Sequence, residues 1–191
     1  MLPEKKTIQM FEETGVLLEG HFSLTSGLHS AKYLQCAKIF QYPEYAAELC
    51  HELAARFATE KIDLCIGPAL GGIIIAYETA RSLGVRGMFA ERDADGKMAL
   101  RRGFEIRKDE RVLVLEDVIT TGSSVQEVIS LVHELGGHTA GIGTLVNRSG
   151  NAAIFNFPFA SLIAIKVETY SPQDCPLCRQ SIPVVKPGSR K

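Results

Sequence analysis

Apolar residues recur along the chain with two different spacings, one typical of helices and one typical of buried strands. Spacings of three and four positions run through residues 44–60, 73–83 and 125–135. These patterns predict three amphipathic helices. Gly84 and Gly136 directly follow the second and third of them, as helix-ending glycines do.

Short and almost continuous apolar runs separate these helices. They predict strands at residues 62–66, 87–90, 111–116, 139–146 and 161–167. Strands that are apolar throughout are buried on both faces, so the alternation predicts an α/β fold, a mostly parallel sheet flanked by helices. We expect a single domain over residues 1–191, with a core at 44–167 and a small hood formed by residues 1–40 and the C-terminal tail.

One charged stretch interrupts the pattern. Residues 91–103 lack a clear period and contain glycines at positions 96 and 103. A charged segment of this length inside a domain is either solvated surface or a functional loop. We therefore expect a long surface loop here.

Composition narrows the class of protein. Hydrophobic residues make up 46% of the chain and charged residues 23%, with a formal net charge of −1, which is typical of a globular protein. The balance of charge argues against a broad basic face for nucleic acid, but it permits a small anionic ligand. No apolar run reaches the roughly 20 residues of a membrane span, and the first residues lack an apolar signal core. We therefore expect a cytoplasmic protein that binds neither membrane nor nucleic acid.

The strongest chemical signal follows the predicted strand at 111–116. Two adjacent carboxylates end the strand, and a stretch of hydroxyl residues around Gly122 leads into a helix. Unpaired N–H groups and the helix dipole attract an anion there, so the stretch predicts a phosphate site. The two carboxylates just before this stretch can accept hydrogen bonds from sugar hydroxyls. Together, the phosphate site and the carboxylates predict a bound ribose 5-phosphate. The alternative is ordinary capping of the helix by Ser123.

A second candidate anion loop is the glycine turn, residues 67–72, between a predicted strand and a predicted helix. It lacks the spacing of a dinucleotide site, and the chain contains no Walker P-loop sequence. A glycine-rich turn between a strand and a helix is more often a connection that binds no ligand. At a strand end next to the first loop, however, the glycine turn could help to hold a pyrophosphate.

The sequence Glu-Asp-Val-Ile-Thr-Thr-Gly after an apolar strand resembles the signature of the type I phosphoribosyltransferases. Further stretches resemble the orotate-specific members of that family, and together they extend over nearly the whole chain. These stretches begin at Phe22, Gly67, Phe89, Arg101 and Cys175. One departure is Thr25, because some members carry a substrate-contacting lysine at that place.

The resemblance implies a role for each matching residue. Asp117 would act in catalysis beside Glu116 on the ribose hydroxyls, and Arg148 would contact orotate together with Thr120. The implied substrate-binding residues are Glu116, Asp117, Val118, Ile119, Thr120, Thr121, Gly122, Ser123, Ser124 and Arg148. Arg92 and Lys97 would be catalytic residues of a mobile loop that closes over pyrophosphate. From the residues alone, a solvated arginine at a strand end is the better interpretation of Arg148.

The implied reaction transfers the 5-phosphoribosyl group from phosphoribosyl pyrophosphate to orotate, giving orotidine 5′-monophosphate and pyrophosphate in pyrimidine biosynthesis. The resemblance also implies Mg²⁺ bridging the pyrophosphate and ribose oxygens, and a homodimer with shared active sites. Two alternatives stay open. The chain could be a phosphoribosyltransferase for another nucleobase, or a non-catalytic regulator with this fold that senses a nucleotide.

The cysteines form two groups. Three of the five lie in apolar patterns and are expected to be buried: Cys36, Cys50 and Cys65. The odd count suits a reducing compartment. Cys175 and Cys178 have the spacing of half a zinc site, but His133 and His138 lie five apart, in and after a helix, and do not supply the other half. We therefore expect the pair to be structural, with no metal bound.

Overall fold

The structure is a computed structural model and describes residues 4–24, 26–150 and 155–187. This part of the chain contains eight strands and five α-helices. Thr25 lies outside this part. In chain order the elements are α1 (Glu4–Glu13), β1 (Leu17–Ser23), β2 (His29–Leu34), a 3-10 helix (Cys36–Gln41), α2 (Pro43–Ala55), β3 (Leu64–Pro68), α3 (Gly71–Leu83), β4 (Arg86–Arg92), β5 (Met98–Ala99), β6 (Arg111–Ile119), α4 (Ser123–Glu134), β7 (His138–Asn147), β8 (Phe159–Ala164) and α5 (Pro176–Arg179).

The central sheet has six strands in the order β5-β4-β3-β6-β7-β8. All neighbours are parallel except β4 and β5. The prediction of a mostly parallel sheet flanked by helices is confirmed. From β3 the chain passes outward through α3 to β4, and from β6 it passes in the other direction through α4 to β7. The strand order therefore reverses between β3 and β6, and a crevice opens there beyond their carboxyl ends, where open α/β sheets bind ligands.

The two faces of the sheet bury separate apolar clusters, because side chains alternate along each strand. On β6, Leu113 and Leu115 face a cluster that includes Leu53 of α2 and Ile75 of α3. Val112, on the same strand, faces the other cluster, together with the apolar side of α4. Helices thus cover both faces of the sheet, and this packing fixes the carboxyl ends of β3 and β6 side by side.

The charged stretch 91–103 is folded differently from the prediction. Strand β4 continues to Arg92, and β5 pairs with it in antiparallel register. The Asp93 carboxylate accepts hydrogen bonds from the backbone N–H groups of Asp95 and Lys97, each at 2.9 Å. The expected long loop therefore begins with a β-hairpin. A strand of two residues is too short to show a period, which is why the pattern along the sequence missed it.

A separate two-stranded antiparallel sheet, the N-terminal hairpin, consists of β1 and β2. The C-terminal tail, residues 165–187, returns to both of its strands. Tyr170 forms an antiparallel bridge with His29, and Val185 forms a parallel bridge with Phe22. Within the described ranges, no helix is long and apolar enough to cross a membrane.

Candidate active site

The two carboxylates of β6 lie at the crevice where the strand order reverses. The backbone N–H of Val118 donates a hydrogen bond to Asp117 Oδ1 at 2.8 Å. Across the crevice, α3 begins so close that a Cβ atom on Gly71 would lie 2.6 Å from the same oxygen. Only glycine at position 71 therefore leaves the Asp117 carboxyl in this place. Sequence reasoning did not single out Gly71, because a close approach between two loops is a tertiary feature.

Burial and mutual repulsion disturb the titration of this pair. Loss of solvent, followed by the negative charge of Asp117, raises the pKa of Glu116 to about 9. Burial also raises the pKa of Asp117, although the hydrogen bond from Val118 opposes the shift. Two adjacent carboxyls with raised pKa values, in a crevice, are typical of a functional site that a positive or hydrogen-donating ligand completes.

The loop at residues 120–124, which we call the phosphate loop, forms a small pocket of about 40 Å³ together with Glu116 and the start of α4. Gly122 adopts a left-handed backbone with φ +79° and is the N-cap of α4, with no side-chain hydrogen bond capping the helix. Capping by Ser123, the ordinary alternative, is therefore wrong. Thr121 Oγ1 accepts a long hydrogen bond from the Ser123 N–H at 3.4 Å and lies 3.2 Å from Ser123 Oγ, so an anion entering the loop would replace these weak internal contacts.

The glycine turn, residues 67–72, packs against the same crevice. A Cβ atom on Gly67 would lie 2.3 Å from the Gly72 carbonyl oxygen, so the two glycines permit the contact between strand end and helix start. The Ala69 N–H donates to the Ala90 carbonyl oxygen at 2.7 Å, and the Ala69–Leu70 peptide bond is cis. Strand β3 pairs with β6, so the glycine turn and the phosphate loop stand at neighbouring strand ends, as the sequence suggested.

Arg148 follows β7 and reaches the same region. Its backbone N–H donates to the Ile119 carbonyl oxygen at 2.8 Å, which fixes the residue beside the phosphate loop. Its Nε is buried and has no hydrogen-bond partner among the residues that the structure describes. Burial lowers the pKa of the guanidinium, with the nearby Cys36 and Tyr33 opposing the shift. A buried, unpaired donor on a cation is costly, so it indicates a place for an anionic ligand.

Arg92 and Lys97 are not gathered at the carboxylates. The Arg92 guanidinium forms a two-point ion pair with Glu127 of α4, at 2.7 and 2.9 Å, and also donates to the Gly96 carbonyl oxygen at 2.6 Å. Lys97 is exposed. Across the described part of the chain, neither side chain forms a hydrogen bond or ion pair with residues 116–124. Their assignment as catalytic residues stays a prediction.

The cysteines lie in two different environments, three in the core and two beside histidines. Cys36, Cys50 and Cys65 are buried in the core, which confirms their interpretation as small hydrophobic residues. The statement that no second ligand pair accompanies Cys175 and Cys178 is wrong. His21 and His29 of the N-terminal hairpin lie against them, and all four ligand atoms are within 4.8 Å of one another. The sequence separates the two pairs by more than a hundred residues, so spacing along the chain could not reveal them.

Comparison with known proteins places this site in a family. A family model described as phosphoribosyl transferase domain matches residues 37–166. The chain is similar to the orotate phosphoribosyltransferase of Caldanaerobacter subterraneus subsp. tengcongensis, with 56% identity over 190 residues and 100% of both chains covered. It is 48% identical over 182 residues to the orotate phosphoribosyltransferase of Thermotoga maritima, covering 95% of this chain and 97% of the relative.

Solved structures share the fold at lower identity. The orotate phosphoribosyltransferase of Aeropyrum pernix gives a TM-score of 0.69 at 24% identity, covering 82% of this chain and 92% of that one. An adenine phosphoribosyltransferase from Thermoanaerobacter pseudethanolicus gives 0.65 at 18% identity, covering 81% and 99%. These two similarities concern the fold alone.

A parallel sheet with a phosphate loop and paired carboxylates at its reversal point, matched by the family model, defines a phosphoribosyltransferase. The full-length similarity carries the assignment one step further. The chain belongs to the orotate phosphoribosyltransferase family.

Proposed function

We propose that the protein transfers the 5-phosphoribosyl group of phosphoribosyl pyrophosphate to orotate, in pyrimidine biosynthesis. The observation that carries the choice of base is the buried Nε of Arg148 beside the phosphate loop, which has no hydrogen-bond partner among the described residues. Orotate is a nucleobase with a carboxylate, and a guanidinium binds a carboxylate in two-point fashion. The full-length relatives named as orotate phosphoribosyltransferases support the same substrate.

The residues of the crevice divide the work. The phosphate loop binds the 5-phosphate through backbone N–H groups and hydroxyls, which fixes the sugar. Glu116 and Asp117 accept hydrogen bonds from the ribose hydroxyls. As the bond from C1 to pyrophosphate breaks, positive charge develops on the ribose ring, and the carboxylates stabilise that charge. Arg148 and Thr120 orient orotate so that its ring nitrogen attacks C1.

Magnesium is the cofactor that we propose, and the residues present fit it. Two oxygen-bearing side chains with raised pKa values stand where a cation would relieve their repulsion. Hard oxygen ligands, including those of the substrate, are the ones that Mg²⁺ prefers. When bound, Mg²⁺ would supply positive charge that neutralises the leaving group. Glu116 and Asp117 would face it from the protein side.

We also propose a homodimer with shared sites. Large apolar side chains are exposed on α3 and before it: Leu70 by 82%, Tyr77 by 63% and Ile74 by 41%. Ile74 and Tyr77 line an apolar groove of about 270 Å³ together with Phe89 and Phe104. A continuous apolar surface of this kind is typical of an interface. This surface begins beside Asp117 and adjoins the hairpin of β4 and β5, which we call the charged hairpin. A second copy of the chain docked on the surface would therefore place its own charged hairpin near this crevice.

A cytoplasmic location is the last part of the proposal. It is supported by the five cysteines, none of which forms a disulfide bond in the described part of the chain. Free thiols in such number suit a reducing compartment.

The direct test is the change in ultraviolet absorbance when orotate is consumed in the presence of phosphoribosyl pyrophosphate and Mg²⁺. We expect turnover of orotate and essentially none of adenine, guanine, hypoxanthine or uracil. Asp117→Asn keeps the size of the side chain and removes its charge, so we expect turnover to fall by about 10²-fold or more. Comparable turnover of uracil or a purine would contradict the choice of orotate and leave the family assignment intact, whereas binding without any turnover would indicate a nucleotide sensor.

A further inference from the structure

Four potential metal ligands converge outside the crevice, between the N-terminal hairpin and the C-terminal tail. Cys178 Sγ lies 3.3 Å from His29 Nδ1 and 3.8 Å from His21 Nε2, and Cys175 Sγ lies 3.6 Å from His21 Nε2. The two imidazole nitrogens are 2.8 Å apart. No residue of the phosphate loop or of β6 belongs to this cluster.

These distances resemble the edges of a tetrahedron around zinc. With Zn–S near 2.3 Å and Zn–N near 2.05 Å, ligand atoms would be separated by about 3.4 Å for two nitrogens, about 3.6 Å for nitrogen and sulfur and about 3.8 Å for two sulfurs. Three nitrogen–sulfur pairs, at 3.3, 3.6 and 3.8 Å, lie within a few tenths of an ångström of that pattern, and no two of the four ligand atoms are more than 4.8 Å apart. The two imidazole nitrogens, at 2.8 Å, are closer than they would be around zinc, and a small rotation of either ring would separate them.

The hairpin explains why both imidazoles face the same way. His29 pairs with Ser23 across the two strands, and His21 lies two residues before Ser23. The register of the two strands shifts between Glu19 and Phe22, and His21 lies in this irregular part of β1, where its imidazole reaches His29 on the same face of the hairpin. Their ring centroids are 4.7 Å apart.

The tail supplies the thiols, and its backbone holds it against the hairpin. The Val185 N–H donates to the His21 carbonyl oxygen, and the Tyr170 N–H donates to the His29 carbonyl oxygen, each at 2.8 Å. Cys175 is buried, whereas Cys178 is exposed, which leaves a path by which a metal ion enters.

A hydrogen bond from the second ring nitrogen of His21 determines which nitrogen can bind a metal. His21 Nδ1 lies 2.7 Å from the Ile182 carbonyl oxygen. A carbonyl oxygen only accepts, so Nδ1 must carry the proton and donate it. In the tautomer with a proton on Nδ1 alone, His21 presents the lone pair of Nε2 to the two thiols and to His29. Histidines that bind metals almost always make such a bond with the second ring nitrogen, since it sets the tautomer and the ring orientation.

We propose that His21, His29, Cys175 and Cys178 bind one structural Zn²⁺, which joins the C-terminal tail to the N-terminal hairpin. Two thiolates with two imidazoles form a ligand set that zinc prefers, and four protein ligands leave no open position for substrate. Without a metal, one 2.8 Å hydrogen bond joins the two imidazoles, and the thiols add only weak S–H hydrogen bonds to them. A small lobe with little core of its own gains most from such a link.

The first measurement is the zinc content of the full-length protein, purified under reducing conditions without chelators and analysed by elemental mass spectrometry. We expect about one zinc ion per chain, as for a closed four-ligand site. Cys175→Ser with Cys178→Ser, and separately His29→Ala, should lose nearly all of it. His138→Ala and Cys65→Ala remove a histidine and a cysteine outside the cluster, and both should keep the metal. Zinc that persists in the double cysteine variant would overturn the proposal.

A second measurement covers the case in which the ligand variants do not fold. Wild-type protein is stripped with a chelator under reducing conditions and titrated with Co²⁺. Tetrahedral Co²⁺ with thiolate ligands gives intense visible bands and a near-ultraviolet charge-transfer band, which Zn²⁺ should then abolish. We also expect zinc to raise the thermal midpoint and to slow proteolysis of the tail. Absence of zinc in the purified protein together with absence of these bands, or a Cys175–Cys178 disulfide under reductant, would refute the site.

Discussion

Arg148 shows how much a single side chain contributes to the choice of base. Its buried Nε has no partner in the described residues, so the carboxylate of orotate would satisfy a donor that is otherwise left without a hydrogen bond. From the sequence, the position after a strand was visible but the burial was not. Burial, which lowers the pKa of this guanidinium, distinguishes Arg148 from a solvated arginine, and it arises only when the chain folds.

Truncation of Arg148 should therefore weaken the binding of orotate and leave the binding of phosphoribosyl pyrophosphate almost unchanged. For Arg148→Ala we expect a loss of about 2–5 kcal/mol in orotate binding, seen as a KM for orotate raised roughly 30-fold or more. The KM for phosphoribosyl pyrophosphate should change little. Arg111→Ala, at the opposite end of the sheet, is the matched control, because Arg111 pairs with Glu60 far from the crevice. Equal effects of the two substitutions would exclude the assigned contact.

Glu116 provides a pH test at the same scale. Its pKa rises from the usual 4.5 to about 9 on folding, so the folded chain holds the proton more tightly than the unfolded chain. The resulting stabilisation is complete below about pH 4.5 and is lost progressively as the pH rises toward 9.

We expect Glu116→Gln to flatten this dependence and, without ligands, to be more stable than wild type at pH 8 by about 1 kcal/mol or more. Urea unfolding at several values between pH 5 and pH 8 measures it. Glu105→Gln, which alters an exposed carboxyl, is the control. Identical slopes for wild type and Glu116→Gln would show that the carboxyl is not desolvated.

At the scale of elements, the charged hairpin is held in a conformation that competes with its proposed role. Arg92 is paired with Glu127 on α4, and Asp93 organises the turn. For the hairpin to close over pyrophosphate, Arg92 must leave Glu127. An exposed pair of this kind is worth about 0.2–1 kcal/mol, which a pyrophosphate can replace.

Removal of the competing carboxylate should thus favour closure. We expect Glu127→Gln to lower the KM for phosphoribosyl pyrophosphate by at most roughly 5-fold, since the pair that it breaks is weak. Arg92→Ala should raise that KM, and the double variant should behave like Arg92→Ala alone. Glu134→Gln, at the other end of α4, should have no effect. If Glu127→Gln still altered the KM when Arg92 is absent, the two residues would not be acting through each other.

The limits of sequence-based prediction also appear among the elements. Helices α3 and α4 were predicted nearly to their ends, because their apolar periods are long and glycines close them. The strand, loop and helix around residues 120–124 were predicted because they are contiguous in the chain, and phosphate binding by this loop stays a prediction. Strand β5 and the histidines of the N-terminal hairpin were missed. Strand β5 depends on the turn that pairs it with β4, and the histidines meet cysteines near the other end of the chain. A local pattern of apolar residues reveals neither kind of contact.

On the scale of the whole molecule, the proposed dimer makes a test by complementation possible. Asp117→Asn is defective in the crevice and Lys97→Ala in the hairpin. If each hairpin acts on the partner's crevice, a mixed dimer has one site with both defects and one with neither. At equal mixing about half of the dimers are mixed, so activity should recover to roughly a quarter of wild type. Hairpins that act on their own crevice would give no recovery after proven subunit exchange.

The interface itself can be tested by charge. Tyr77→Asp should produce a monomer in analytical ultracentrifugation, because it places a carboxylate on the exposed apolar surface of α3. Tyr42→Asp, which alters an exposed tyrosine before α2, should leave the association unchanged. A wild-type protein that sediments as a monomer at assay concentration would exclude shared sites.

The return of the C-terminal tail to the N-terminal hairpin has a consequence for synthesis on the ribosome. His21 is separated from Cys175 by 154 positions. At roughly 5–20 residues per second, the imidazoles would emerge about 8–30 s before the thiols. The central sheet is complete in the meantime, so the first strands to be translated are among the last to reach their final environment. During that interval the nascent hairpin has an uncovered face, and a chaperone that binds exposed strands has time to act on it.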